Sequence, residues 1–201
     1  MEITTELIKQ LRDETGVSVM LCRKALEEAK GDKEKAKVIL RRKGADAAAK
    51  KADRALGAGT IASYVHHGGT VGVLVLLSSE TDFVSGNEEF KTLAKDIAMQ
   101  VAATAPEFIR KEDVSEEAKT TAREVLMKEV ENKPKEMQEK ILEGKMSSYF
   151  ADKILLEQPY IKNQDISVRA LIEEAIQKFG EKIEVTRFTR FAVKGGTQVC
   201  G

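Results

Sequence analysis

Apolar residues recur at helical spacing through the first fifty positions of the chain. Leu7, Ile8 and Leu11 share one face of a predicted helix that Thr4 or Thr5 can cap and Gly16 ends. Ser18 caps a second, whose Cys22, Ala25, Leu26 and Ala29 follow the i, i+3, i+4, i+7 stripe of a core-facing side. Gly31 stops it and Asp32 restarts the chain. A third helix places Ala36, Ile39 and Leu40 on one face and Lys33, Lys35, Lys37, Arg41 and Arg42 around the rest, a distribution that suits a solvated surface better than a basic binding patch. Beyond Gly44, "ADAAAKKADRALGAG" holds good helix formers but almost no large apolar groups to bury, so a linker is expected there.

From Gly59 the period changes. "TIASYVHHGGTVGVLVLLSSE" contains two β-prone runs joined by His67, Gly68 and Gly69, whose glycines can take the positive φ of a tight hairpin. The second run, Val71 to Leu77, is nearly continuous in apolar residues and predicts a strand covered on both faces. Phe90, Leu93, Ala94, Ile97, Ala98, Val101 and Ala102 then form an unbroken helical stripe that Pro106 ends. Ser115 opens a helix carrying Ala118, Ala122, Val125 and Leu126. "ENKPKE" turns the chain into another, through Met137, Ile141 and Leu142 towards Tyr149 and Phe150, which together predict an antiparallel pair. A last stripe, Val168, Leu171, Ile172, Ala175, Ile176 and Phe179, stops at Gly180, and "KIEVTRFTRFAV" follows as a strand with a bulge expected near Arg187. The tail "GGTQVCG" reads as mobile.

The fold class is therefore α+β: a three-helix head, then a core with an antiparallel sheet and a helical-hairpin projection. The boundaries are residues 1–54 for head and linker and 55–201 for the core, with the projection at about 115–157.

At 201 residues and 42% hydrophobic content the chain can bury one ordinary core plus a small satellite. Its 33 basic residues balance 33 acidic ones, so no global field draws it onto nucleic acid or anionic lipid, and no direct nucleic-acid partner is expected. "MEITTELIKQ" lacks the basic start and apolar run of a secretory signal, and no stretch approaches the roughly 18 to 20 apolar residues that span a bilayer. The expectation is a cytoplasmic protein without a membrane partner.

Enzymatic chemistry finds no support. "HHGGTVG" has neither the Lys nor the Ser/Thr of a phosphate loop. His66 and His67, the only histidines, are neighbours that would point to opposite faces of a strand, so no metal site is expected. Cys22 sits on an apolar stripe, where a small core residue is the simpler reading than a reactive thiol; Cys200, in the tail, could form an intersubunit disulfide, though none is predicted. No nucleophile elbow or paired-cysteine motif appears. The expected protein is not an enzyme and needs no cofactor.

One stretch stands apart. In "SSETDFVSGNEEF", Ser85 and Glu88 fit a capping box that starts a helix near Gly86, leaving Thr81, Asp82, Phe83 and Val84 to turn the corner after the strand. An apolar residue before a cap usually staples against position N4, but N4 here is Glu89. The pattern leaves two homes for Phe83: folded back on its own sheet, or held outward.

The segment "TDFVSGNEEF" resembles the "TDFV" signature of bacterial elongation factor Ts, the guanine nucleotide exchange factor of elongation factor Tu. "LRDETGVSVMLCRKALEEAKGDKEKA" resembles that family's head, and "AMQVAATAPEFI", "PKEMQEKILEGKMSSYF", "LLEQPYI" and "RFTRFAV" match it in order along nearly the whole chain. The resemblance implies a head like the ubiquitin-associated domain, docking on the nucleotide-binding domain of elongation factor Tu through Val19, Met20, Arg23 and Lys24. Leu21 departs from the acidic residue the family commonly has. It further implies that Thr81, Asp82, Phe83 and Val84 contact the partner, Asp82 and Phe83 entering between helices near its magnesium and phosphate site. Only one hairpin and one "TDFV" block occur, as in the short members, so a homodimer binding two copies of elongation factor Tu is expected. Two other readings compete: an adaptor whose head binds a helix or tail, and a ribosome-associated RNA binder using the lysine-rich third helix. Neutral charge and 5% aromatic residues count against the last.

Overall fold

The structure, a computed structural model, describes residues 3–131 and 134–201. The chain divides into two compact units, Met1–Ala62 with Leu76–Ala94 and Arg169–Val185, and Ser63–Val75 with Lys95–Val168 and Thr186–Gly201. Helices and antiparallel strands together make it α+β.

The first unit begins with α1 (Thr5–Thr15), α2 (Val19–Glu28) and α3 (Lys33–Ala49). Thr4, Ser18 and Asp32 cap them, each side-chain oxygen accepting a backbone N–H of the first turn, from Leu7, Leu21 and Lys35 respectively. Gly16 closes α1 in the left-handed region, at φ 67°. Leu11, Val17, Cys22, Ala25, Leu26, Ala36 and Leu40 form the buried core between the three helices.

The expected linker is shorter than its composition suggests, because α3 continues through Gly44 to Ala49. Gly44 is buried rather than terminal: a Cβ there would lie 3.3 Å from the Glu173 carbonyl oxygen of α8 (Val168–Phe179). The helix persists because this close approach and the Arg41–Glu174 ion pair give its second half something to pack on. Elsewhere in this unit the rings of Phe90, which is buried, and Phe179 meet edge to face with centroids 6.1 Å apart.

Strands β1 (Ala58–Val65), β2 (Val71–Ser79) and β5 (Ile183–Ala192) run from one unit into the other, and with β6 (Gly196–Cys200) they make a four-stranded sheet in the order β1-β2-β5-β6. The β1–β2 turn uses Gly68 and Gly69 at positive φ, closed by the Gly69 N–H on the His66 carbonyl. His66 and His67 therefore lie past the end of β1, in the turn rather than on opposite faces of the strand. The apolar run of β2 is covered on both sides only towards its end: Val73, Val75 and Leu77 are buried on one side, while on the other Leu74 is exposed, Leu76 half-buried and Ser78 buried. In β5 the inward side changes phase between Val185 and Phe188, with Thr186 and Arg187 both exposed, at the place where the alternation of the sequence breaks.

The tail is not loose. Gly195 and Gly196 at positive φ turn the chain into β6, which pairs antiparallel with β5 from Phe188 opposite Cys200 to Ala192 opposite Gly196. The glycine pair is a hairpin turn, and the Cys200 thiol donates to the Glu107 carbonyl at 2.9 Å.

The second unit also holds the C-terminal half of α5 (Glu88–Thr104), then α6 (Glu116–Val130) and α7 (Lys135–Ala151). Ser115 caps α6 by accepting the Ala118 N–H. Leu126, Val130 and Leu142 are buried where α6 and α7 pack; the turn predicted between these helices has Asn132 and Lys133 at its centre, which lie outside the described residues. A two-stranded ribbon, β3 (Pro159–Tyr160) with β4 (Asn163–Ser167), gave no sequence signal. It is fastened by the buried Gln100 amide, which donates to the Gln158 side chain and the Pro159 carbonyl and accepts the Ile161 N–H.

Candidate functional site: an exposed aromatic corner and a helical face

Between β2 and α5 the chain makes one additional helical turn, α4 (Asp82–Ser85). Thr81 precedes it in an extended conformation, at φ −126° and ψ 158°, and its carbonyl accepts the Ser85 N–H. The expected capping box on Ser85 and Glu88 does not form. Ser85 is buried inside the extra turn and its hydroxyl donates to the Asp82 carbonyl, so the cap of α5 passes to Asn87, whose side-chain oxygen accepts the Glu89 N–H at 2.8 Å. The helix thus starts at Glu88 rather than at Gly86.

This rearrangement separates two adjacent apolar side chains. Val84 is 4% exposed and anchors the turn, whereas Phe83 is 86% exposed. The two homes left open by the sequence are resolved in favour of the outward one. Asp82 and Thr81 are also exposed, so the tip presents an aromatic ring beside a carboxylate.

Hydrogen bonds from distant segments hold the corner. Glu181, immediately after the Gly180 stop of α8, accepts both the Thr81 N–H at 3.0 Å and the Thr81 hydroxyl at 2.6 Å. Glu80 accepts the Lys182 N–H at 2.6 Å and the Arg54 guanidinium at 3.0 Å. The Lys182 N–H, with Arg54 behind it, holds the Glu80 carboxyl below the usual carboxylate range. Ser79 donates its hydroxyl to the Thr81 carbonyl, and Thr60 donates to the Ser85 carbonyl at 2.8 Å. Lys182 in turn donates from Nζ to the carbonyls of Ala52 and Arg54. None of Arg54, Glu80, Glu181 or Lys182 could be singled out in the sequence, because the Thr81–Glu181 contact joins residues 100 positions apart.

The second group of predicted positions lies at the start of α2. Val19, Met20, Arg23 and Lys24 have the i, i+1, i+4, i+5 spacing of one helical face and all are exposed, Val19 at 46% and Met20 at 61%. Arg23 is paired with Glu27 at 2.9 Å. Leu21 is turned partly inward and packs against the head core, so an apolar residue there serves the fold. The structure brings Thr81 to Val84 together as one turn and Val19 to Lys24 as one face, and both lie in the first compact unit.

Among the described residues no group of three His, Cys, Asp or Glu side chains comes together as metal ligands. His66 instead shares a 3.2 Å hydrogen bond with the Tyr64 hydroxyl. No helix among the described residues is long and apolar enough to cross a membrane.

A backbone corner that displays one exposed aromatic ring beside a carboxylate suits contact with another macromolecule. Comparison with known proteins gives this arrangement its context. The family model described as Elongation factor TS matches residues 33–195. The chain is 50% identical to the elongation factor Ts of Carboxydothermus hydrogenoformans over 196 residues, covering 96% of this chain and 90% of that protein. It is 49% identical to that of Thermotoga neapolitana over 193 residues, covering 96% and 98% respectively, and 47% identical to that of Desulforamulus reducens, covering 98% and 92%. Matches of this extent, spanning the head, the corner and the sheet, show that the chain belongs to the elongation factor Ts family.

Proposed function

We propose that the protein is the guanine nucleotide exchange factor of elongation factor Tu, acting in translation elongation by binding and not by covalent chemistry. Family membership implies this activity. The observation that carries the mechanism is Phe83, exposed on a turn whose next residue is buried and whose flanks are tied to three other segments. Thr81, Asp82, Phe83 and Val84 form the intruding corner; Asp82 and Phe83 enter near the magnesium and phosphate site of the GDP-bound partner, and GTP rebinds after GDP leaves. Val19, Met20, Arg23 and Lys24 of a head resembling the ubiquitin-associated domain dock on the partner's nucleotide-binding domain. In this reading residues 1–54 are the docking head with its connection and 55–201 the core, α6 and α7 forming its helical projection. The setting is the cytoplasm.

Magnitudes restrict how such a wedge works. Burying one Phe is worth about 1.5 to 3 kcal/mol. A nucleotide held at nanomolar affinity is bound by about 12 kcal/mol. One ring cannot displace it by direct competition, so the corner acts through coupling: displaced helices loosen the magnesium and phosphate contacts together. Linkage then requires bound GDP to weaken the factor's affinity by the same ratio as the factor weakens that of GDP.

The core pairs as a homodimer and carries two copies of elongation factor Tu. Supporting this, one side of the sheet in the second unit leaves Val65, Leu74, Phe191 and Val199 exposed, an apolar surface of the kind that a second subunit covers. Sedimentation that finds only monomer at micromolar concentration would remove this part of the reading.

Stopped-flow release of fluorescent GDP from elongation factor Tu tests the activity. The wild type accelerates release and Phe83→Ala loses most of that acceleration. A wild type that accelerates nothing would leave the adaptor reading, in which the head alone carries function.

A further inference from the structure

We infer that Glu181 is a positioning residue for exchange: by gripping Thr81 it fixes the direction in which Phe83 leaves the surface. The inference rests on the exchange reading above and names a residue which that reading does not use.

A four-residue helix has no stability of its own, because nucleating one turn costs more than its single closing bond returns. Something outside α4 must therefore hold it. Val84 supplies an apolar anchor beneath the turn, yet a single buried Val leaves the turn free to rock about that contact. Orientation is set at Thr81, the residue where the extended strand passes into α4. Its N–H and hydroxyl both end on one carboxylate, at 3.0 and 2.6 Å, which fixes the backbone plane and the side-chain rotamer together. Both oxygens of Glu181 are used, Oε2 by the N–H and Oε1 by the hydroxyl, a charge-assisted pair that an amide replaces only with a neutral acceptor for the N–H and with the hydroxyl turned round to accept.

The carboxylate is itself aimed. Gly180 ends α8 at φ 75°, reversing the chain so that Glu181 follows at once, and the next residue, Lys182, gives its N–H to Glu80. Neighbouring residues on two segments thus bond crosswise, Glu80 to Lys182 and Thr81 to Glu181, and the pair of contacts resists both sliding and twisting of the corner. Phe83 lies two residues beyond this clamp and is 86% exposed, so burial does little to direct it.

Pre-organisation has a distinctive kinetic signature. Without the clamp the corner spends only part of its time in the competent orientation, so apparent affinity falls by that fraction, while a complex once formed contains the same inserted ring and releases GDP at the same limiting rate. Glu181→Ala should raise the factor concentration needed for half-maximal acceleration about tenfold, the equivalent of about 1.4 kcal/mol, and leave the plateau rate unchanged. Glu181→Gln, which keeps the shape and one acceptor, should lie between the two.

The decisive measurement is the double substitution in the full-length protein. If Glu181 acts through the ring, adding Glu181→Ala to Phe83→Ala leaves the half-saturating concentration where Phe83→Ala alone put it. An equal further loss in the absence of the ring would mean a general structural role and overturn the assignment. So would a Glu181→Ala protein whose titration matches the wild type, while the wild type itself remains active. A wild type that does not accelerate release would overturn the exchange reading, and the positioning role with it. Thermal unfolding of each variant, expected within the wild-type range for Glu181→Gln, keeps a misfolded protein from being scored as a mispositioned one.

Discussion

The corner at Thr81 to Gly86 and the face at the start of α2 both expose apolar side chains, but they are held by different means. The face is local: Ser18 caps the helix from the adjacent residue, and the core contacts of Cys22, Ala25 and Leu26 lie on the same helix as Val19 and Met20. The corner depends on partners far away in sequence, Thr60, Arg54, Glu181 and Lys182. In the proposed docking a helical face would spread its contact over four side chains and tolerate small shifts, whereas a single ring would work only if it arrives at one place. The cost of fixing a short turn is met where position matters, and ordinary helix formation suffices where area matters.

The contrast predicts opposite signatures. The largest effect is expected for Phe83→Ala, which should lower exchange about ten- to hundredfold by removing the burial energy of one ring. Because that ring is exposed in the free protein, the thermal midpoint should not move; a large fall in it would show that Phe83 supports its own fold and would collapse the distinction.

Met20→Ala should act on affinity alone, raising the half-saturating concentration about three- to tenfold as part of an exposed apolar side chain is lost. A fall in the plateau rate of GDP release would instead place the head in the displacement step and blur the contrast.

Ser18→Ala removes the cap beneath the same face and should cost about 1 kcal/mol of stability, read from denaturant unfolding. Loss of exchange far beyond that seen with Met20→Ala would mean that the face, too, needs exact placement.

The smallest effect concerns acid. Glu14 on α1 accepts from Lys33 and Lys37 on α3, and those hydrogen bonds lower its pKa from 4.5 to about 2. Since the folded-state value lies below the unfolded one, the stabilisation is complete above about pH 4.5 and disappears as the pH falls towards about 2. The group is largely solvated, so the contribution is small and screened by salt. Glu14→Gln should flatten the dependence of head unfolding on pH in that window, and an unchanged profile would exclude the contact as a stabilising one.

What the sequence could reveal follows the same division. Ser18, Asp32 and Ser115 were legible as helix openers, Thr4 as one of two candidates, and Gly16 and Gly180 as stops, because each acts on residues within a turn of itself. The direction of Phe83 was not, since the bonds that set it come from segments separated by up to a hundred positions. Ser85 misled for a related reason. Its spacing to Glu88 fits a capping box, but tertiary bonds at Thr81 and Ser85 made room for one more turn and moved the cap to Asn87. The tail and the linker were misjudged from composition: glycines that look loose form the β5–β6 turn, and an alanine-rich stretch that buries little still continues α3. Of the candidate residues, all eight were nameable from the family's motifs; their supporting carboxylates were nameable from nothing nearby.

The continuation of α3 past Gly44 has a geometric consequence. Since that helix runs to Ala49, and the Ala52 and Arg54 carbonyls that follow bond Lys182 beside the corner, the head is tied to the corner by hydrogen bonds and not by a free linker. In the proposed docking such a tie would act as a calliper, with Met20 and Phe83 as jaws that suit a partner of one width.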